Sequence, residues 1–211
     1  LFGIAQRLER APNVIEDCAQ ALGARVDGRH VGSVGAASIF SFGATKLLTT
    51  GGQGGLVASR DRALIDAVRD YLAYDQRHDR RARFNLQMTD LSAAIGLAQL
   101  EQFDAFAARR EAIFHQYATA GLPLMQPEDG TIAVRYRAVV RTENARQVIE
   151  LLAERGVKAI VPIEDWELLG EPSNFPNAWR LTQTTVSLPI YPSLTDDDVT
   201  LVVNALEGAL R

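Results

Sequence analysis

The 211 residues carry 47% hydrophobic side chains and a formal net charge of −4, the balance of an ordinary globular protein rather than of a disordered or membrane-embedded chain. That charge argues against a dedicated nucleic-acid surface, and the chain holds neither an apolar run of bilayer length nor a secretory signal. One cysteine, Cys18, excludes an internal disulfide, and no Cys/His group has zinc-ligand spacing, so a soluble, cytoplasmic protein is expected.

The chain opens at Leu1-Phe2-Gly3, which reads as the end of a strand already under way. A polar segment, Ala5 to Arg10, is a candidate short helix ended by Pro12. Val14-Ile15 begins a buried strand running into Glu16-Asp17. Acidic residues at the carboxyl end of such a strand either contact a ligand or, at Asp17, cap a following helix. Cys18 to Ala21 leads to a turn at Gly23. Arg25 to Val34 reads as a hairpin or a loop, with Asp27-Gly28 as its turn signal. Strands are expected at Ala36 to Phe42 and Gly55 to Ser59, followed by a helix from Arg62 to Tyr74 with Leu64, Ile65, Val68 and Leu72 on one face.

Asp75 to Met88 lacks periodicity and reads as a long loop, whose run of Arg77, Arg80, Arg81 and Arg83 is that of a solvated segment. Thr89 caps a long helix from Asp90 to about Tyr117, with Leu91, Ile95, Ala98 and Gln102 along one side. Pro123 and Pro127 mark a domain boundary between Gly121 and Gly130. Beyond it come a strand from Thr131 to Arg141, a helix from Asn144 to Arg155 stopped by Gly156, and a strand from Val157 to Val161. A short helix at Ala178 to Gln183, a strand at Val186 to Ile190 and a last helix capped by Thr195 and Asp198 complete the chain. On that last helix Val199, Val202, Leu206 and Leu210 face the core.

Ser38 to Gly55 stands out in this order. It contains Lys46, one of only two lysines beside twenty arginines, and Gly51, Gly52, Gly54 and Gly55. A lysine amine can lose its proton when desolvated and attack a carbonyl, as arginine cannot. The bland reading is a solvated side chain at a strand end, beside glycines that supply positive φ to a turn. Composition alone leaves both open.

Four landmarks in order decide between them. Glu16-Asp17-Cys18-Ala19-Gln20, Phe40-Ser41-Phe42 with Thr45-Lys46, Phe84-Asn85-Leu86-Gln87-Met88-Thr89-Asp90, and Val186-Ser187-Leu188-Pro189-Ile190-Tyr191-Pro192 together resemble the DegT/DnrJ/EryC1/StrS sugar aminotransferases. These are pyridoxal 5'-phosphate (PLP) enzymes of fold type I. The resemblance implies an α/β chain, with a partial PLP-binding large domain over 1–120 and a small α+β C-terminal domain over 121–211. Family members are longer, and it implies that their N-terminal portion is lacking here.

The same resemblance implies roles. Lys46 would form the Schiff base with PLP, Asp17 would face the pyridine nitrogen, Gln20 would sit near the ring hydroxyl, and Ser41 would donate to the cofactor phosphate. Asn85 would reach the phosphate of a partner subunit's cofactor, which implies a homodimer. Sugar dehydratases of the family carry histidine at the position of Lys46, so transamination is expected. The substrates implied are a nucleotide-linked keto sugar and an amino donor, glutamate or glutamine. The alternative is a catalytically silent homologue that serves binding or oligomerisation.

Overall fold

The computed structural model describes residues 1–9 and 13–210. The expected helix at Ala5 to Arg10 is absent over residues 5–9, and the rest of that expectation, with Pro12, lies outside the described residues. The chain divides into two compact units. Unit 1 comprises Leu1, Gly3–Asp104 and Asp129–Ala133, and unit 2 comprises Phe2, Ala105–Glu128 and Val134–Arg211.

Unit 1 is built on a three-stranded sheet of order β1-β4-β5 and a second, smaller sheet. Strand β1 is Ile15–Asp17; β2 (Arg25–Val26) and β3 (Arg29–His30) form a hairpin; β4 is Ala37–Ser41 and β5 is Gly55–Ala58. β1 pairs parallel with β4, and β4 pairs antiparallel with β5. The hairpin turns on Asp27 and Gly28, at φ 49° and 76°. Two successive positive φ values give the twist that joins adjacent antiparallel strands, and Asp-Gly tolerates them. β1 departs from the expected buried strand. Ile15 is 66% exposed, whereas Glu16 is 7% exposed, because alternate strand residues face opposite ways.

Helix α1 (Arg62–Leu72) starts at Asp61, whose carboxylate accepts the N–H groups of Ala63 and Leu64, satisfying donors that have no partner within the helix. Leu64, Ile65, Val68 and Leu72 are half-buried, as their spacing predicts, and so is Asp70. No helix or strand interrupts the segment from there to Thr89, which caps α2 (Asp90–Glu101) by accepting the N–H of Ser92. The expected single long helix is broken at Gln102, at φ −103° and ψ 0°, and continues as α3 (Phe103–Thr119). There the Gln102 N–H bonds back to Gln99 at 3.2 Å, an i−3 bond that tightens the turn and ends the regular ladder. The face of α2 also differs from expectation. Leu91, Ala98 and Gln102 are exposed, while Ser92, Ala93, Gly96 and Gln99 are half-buried.

The expected strand from Thr131 to Arg141 is two elements. β6 (Thr131–Ile132) joins β2 in unit 1, and β7 (Ala138–Arg141) pairs with a later strand in unit 2. Residues between them, among them half-buried Val134 and Arg135, lie outside any strand.

The large hydrophobic core belongs to unit 2. Helix α4 (Ala145–Glu154), helix α5 (Pro176–Thr184), strand β8 (Thr185–Leu188) and helix α6 (Asp196–Ala209) complete that unit. β7 and β8 pair antiparallel, and the expected strand at Val157 to Val161 contributes a single bridge, Ile160 to Ser187. Ile113, Phe114, Tyr117, Val140, Leu152, Val186, Val199 and Leu206 pack together among the core residues. Gly156, at φ 77°, ends α4, and Thr195 with Asp198 forms the capping box of α6. Leu210 falls at the C-cap and is 40% exposed, so it does not extend the buried face of α6.

Candidate active site

The candidate residues Asp17, Gln20, Ser41, Lys46 and Asn85 all fall in unit 1. Asp17 is the last residue of β1 and Ser41 the last of β4. Because these strands are parallel, with Asp17 in register with Ile39, their carboxyl ends lie at one edge of the sheet. Asp17, Ile39 and Ser41 share one face, by the two-residue period. Asp17 is exposed, and its Oδ1 accepts the Ala19 N–H at 3.0 Å. That bond turns the chain off the strand into the segment holding Gln20, which is half-buried.

The segment after Ser41 folds back on itself. Phe42 donates its N–H to Gly54 at 2.7 Å and accepts that of Thr50 at 3.0 Å. The buried Thr50 hydroxyl, at 3.2 Å from the Phe42 carbonyl and 3.1 Å from that of Gln53, ties the two arms together. Within the fold the Lys46 N–H bonds to Gly43 at 3.0 Å, and the Gly43 N–H bonds to Ser41 Oγ at 3.4 Å. A Cβ placed on Gly43 would sit 3.6 Å from Ser41 Oγ and 3.8 Å from Lys46 Cγ. The hydroxyl and the lysine stem therefore flank one glycine. Lys46 is half-buried, with buried Leu47 and Leu48 following it.

The glycines of this segment do not all supply positive φ to a turn. Only Gly51 among the four has positive φ, at 79°. Gly54 and Gly55 are required by close approach, since a Cβ would lie 2.4 Å from Thr50 Oγ1 and 2.8 Å from the Phe40 carbonyl oxygen, respectively.

Asn85 lies exposed on the segment between α1 and α2. That segment is anchored by Arg83, whose side chain is 5% exposed. Its guanidinium bonds to the Asp70 carboxylate at 3.0 and 3.1 Å, to the Asp70 carbonyl at 2.9 Å and to Asp79 at 2.7 Å. Phe84 packs on Tyr71 with ring centroids 5.2 Å apart. Arg83 is thus a structural anchor rather than a member of a solvated run. Its pairing holds the Asp79 carboxyl well below the usual range.

Glu16 and Thr50 take supporting roles that are not expected from sequence. Glu16 Oε1 accepts the N–H groups of Val34 at 2.8 Å and Gly35 at 2.7 Å, and Oε2 accepts that of Gly32 at 2.7 Å. This carboxylate fixes the approach to β4, and strand alternation, which sets Glu16 opposite Asp17, was the signal for it. Thr50 carried no such signal. Burial, followed by the charges of Glu16 and Asp17, pushes the Cys18 thiol up to about 11.

A family model described as the DegT/DnrJ/EryC1/StrS aminotransferase family matches residues 9–207. The chain belongs to that family. It is 34% identical to GDP-perosamine synthase of Escherichia coli O157:H7, over 92% of this chain and 57% of that protein. It is 32% identical to dTDP-3-amino-3,4,6-trideoxy-alpha-D-glucose transaminase of Micromonospora megalomicea subsp. nigra, over 95% and 59%. Among solved structures it superposes on S. venezuelae DesV, determined with a ketimine intermediate, with a TM-score of 0.84 and 28% identity over 94% of this chain and 58% of that one. The chain thus spans 57 to 59% of the length of these relatives. The aminotransferases of the family are PLP-dependent, and its solved members include PMP and PLP forms. The mixed α/β architecture with small sheets is part of fold type I.

Proposed function

We propose that this DegT/DnrJ/EryC1/StrS chain binds PLP at Lys46 and takes part in amino transfer from glutamate or glutamine to a nucleotide-linked keto sugar. The observation that carries the proposal is the pairing of Ser41 Oγ and the Lys46 stem about Gly43, at the sheet edge where β1 ends in Asp17. The donor set fits the cofactor: an amine for its aldehyde, a carboxylate for its ring nitrogen, and a hydroxyl for its phosphate. When bound, PLP supplies an electron sink for the charge left as a proton departs the donor's α-carbon.

Lys46 Nζ anchors the group and, once released, carries a proton to and from the reacting carbon. Asp17 holds the proton on the pyridine nitrogen, because a carboxylate favours the charged partner. Since Ser41 Oγ accepts from Gly43, its own hydrogen is free for a phosphate oxygen. Gln20, in the turn after Asp17, orients the ring hydroxyl.

The proposal includes a homodimer in which Asn85 reaches the partner subunit's phosphate group. Its support is the apolar surface around Asn85 and along α2, where Phe84, Leu86, Leu91, Leu97 and Leu100 are 50 to 74% exposed. Exposed apolar side chains in that number favour a covering partner. The relatives named GDP-perosamine synthase and dTDP-3-amino-3,4,6-trideoxy-alpha-D-glucose transaminase support a nucleotide-sugar substrate.

Incubation with PLP, L-glutamate and a nucleotide-linked keto sugar tests the reading. Formation of 2-oxoglutarate and an amino sugar, lost in Lys46→Ala, is expected. Tight PLP binding without turnover would instead favour a silent homologue that serves binding or oligomerisation.

A further inference from the structure

The cleft between the β2–β3 hairpin and the residue that follows Ser59 carries charge that the proposed reaction does not use. It encloses about 450 Å³ and is lined by Gly28, Arg29, His30, Ser33, Val34 and Arg60. Two arginines and a histidine line it, and no acidic residue does. Among the described residues neither Arg29 nor Arg60 is in an ion pair.

The acidic residues next to the lining in sequence have partners of their own. Asp27 pairs with Arg7, and Asp61 caps α1 by accepting two backbone N–H groups. Arg25 donates to the Gly28 carbonyl at 3.0 Å. Glu16 lines the adjoining cavity rather than this one, and its oxygens take three backbone donors. Backbone N–H partners leave Asp61 and Glu16 charged, but the charged side chains that line the cleft itself are all basic, which favours an anion within it.

Both walls are fixed. On one side the Asp27-Gly28 turn sets the hairpin, Ser33 Oγ donates to the His30 carbonyl at 2.6 Å, and Glu16 holds Gly32, Val34 and Gly35. On the other, Ser59 Oγ donates to the Ala36 carbonyl at 2.6 Å and accepts the Asp61 N–H at 3.0 Å, so the backbone bearing Arg60 is tied to the start of β4. Such preorganisation lowers the entropic cost of binding.

The cleft is separate from the Lys46 segment. β4 and β5 are antiparallel, with Ser38 opposite Ala58 and Ser41 opposite Gly55. Arg60 thus follows the end of β5 that lies beside the start of β4, whereas Lys46 follows the other end of β4. Four steps along a strand separate these ends by about 13 Å.

We propose that this cleft is a second, non-catalytic anion site, which takes the diphosphate group of a small-molecule ligand between Arg29 and Arg60, with His30 and Ser33 at its wall. Guanidinium groups match phosphate oxygens two at a time, and two arginines facing one cleft suit two linked phosphates. The inference does not rest on the PLP reading.

Amide chemical shifts of the full chain, titrated with inorganic pyrophosphate at constant ionic strength, test it. Saturable shifts confined to residues 28–34 and 59–61 are expected. Arg29→Ala and Arg60→Ala should each weaken that response at least fivefold, Arg60→Lys less, and Lys46→Ala not at all. A nucleoside diphosphate titrated in parallel distinguishes the source: equal affinity means recognition of the phosphates alone, and tighter binding means that the nucleoside is also read. Equal shifts with sulfate, shifts elsewhere, or an unchanged response in Arg60→Ala would overturn the proposal. The substituted side chains are exposed, and an unchanged thermal melt in each variant excludes unfolding as the cause.

Discussion

Glu16 and Gly35 are joined across the β1–β4 connection by a 2.7 Å hydrogen bond from the Gly35 N–H to Glu16 Oε1. The same carboxylate holds Gly32 and Val34, so one buried side chain orders the approach to the strand that ends in Ser41. A Cβ on Gly35 would lie 2.5 Å from the Val14 carbonyl oxygen, which shows how closely the two segments are drawn together. Glu16→Ala leaves three backbone donors without their acceptor. Buried unsatisfied donors are costly, and the loss should be on the order of 3 kcal/mol after water enters. Urea unfolding should show a lower midpoint at an unchanged slope.

Gly96 on α2 meets Thr50 in the segment that carries Lys46. A Cβ on Gly96 would lie 2.9 Å from Thr50 Cγ2. Gly96→Ala should therefore destabilise by about 1–3 kcal/mol through overpacking. Adding Thr50→Ser removes the offending methyl but keeps the hydroxyl bonds to Phe42 and Gln53, and should restore most of the loss. Thermal melts of the single and double variants measure this coupling.

Cys18 is 3% exposed, with its thiol pushed up to about 11. The thiolate is the reactive form. Alkylation by iodoacetamide at pH 8 should be slow in the folded protein, rise steeply toward pH 11, and become fast at pH 8 once urea unfolds the chain.

Asp79 is held below its usual range by the hydrogen bond from Arg83, then by the backbone N–H of Arg81. A carboxyl depressed on folding contributes stability that is present above its unfolded pKa, about 4, and lost as pH falls through the folded value. Between pH 7 and pH 3 the native protein should therefore lose more stability than Asp79→Asn, which has no such proton to take up. Urea midpoints at the two pH values provide the comparison.

Local signals in the sequence described much of this molecule correctly. Asp27-Gly28 predicts its hairpin, Thr89 and Thr195 predict their helix starts, and the spacing of Leu64, Ile65, Val68 and Leu72 predicts the packed side of α1. The family was legible because its motifs are short, ordered and chemically distinct. What local pattern missed depends on contacts distant in sequence. Gln102 breaks a helix without a proline or glycine to announce it. Arg83 lies in a polar run but is buried by Asp70, thirteen positions earlier in the chain. Gly54 and Gly55 resemble turn residues, yet they are required by the closeness of Thr50 and Phe40. The packed side of α2 follows Gly96 and small neighbours rather than its leucines, since a close helix approach selects for small side chains.

The central claim is that Lys46 is the residue that binds PLP. Incubation of the chain with PLP, reduction with borohydride and peptide mass spectrometry test it directly. The expected result is a pyridoxyl adduct on Lys46, absent from Lys46→Ala and weakened in Asp17→Ala and Ser41→Ala. No adduct on Lys46, or equal labelling of Lys158 under the same conditions, would contradict the claim.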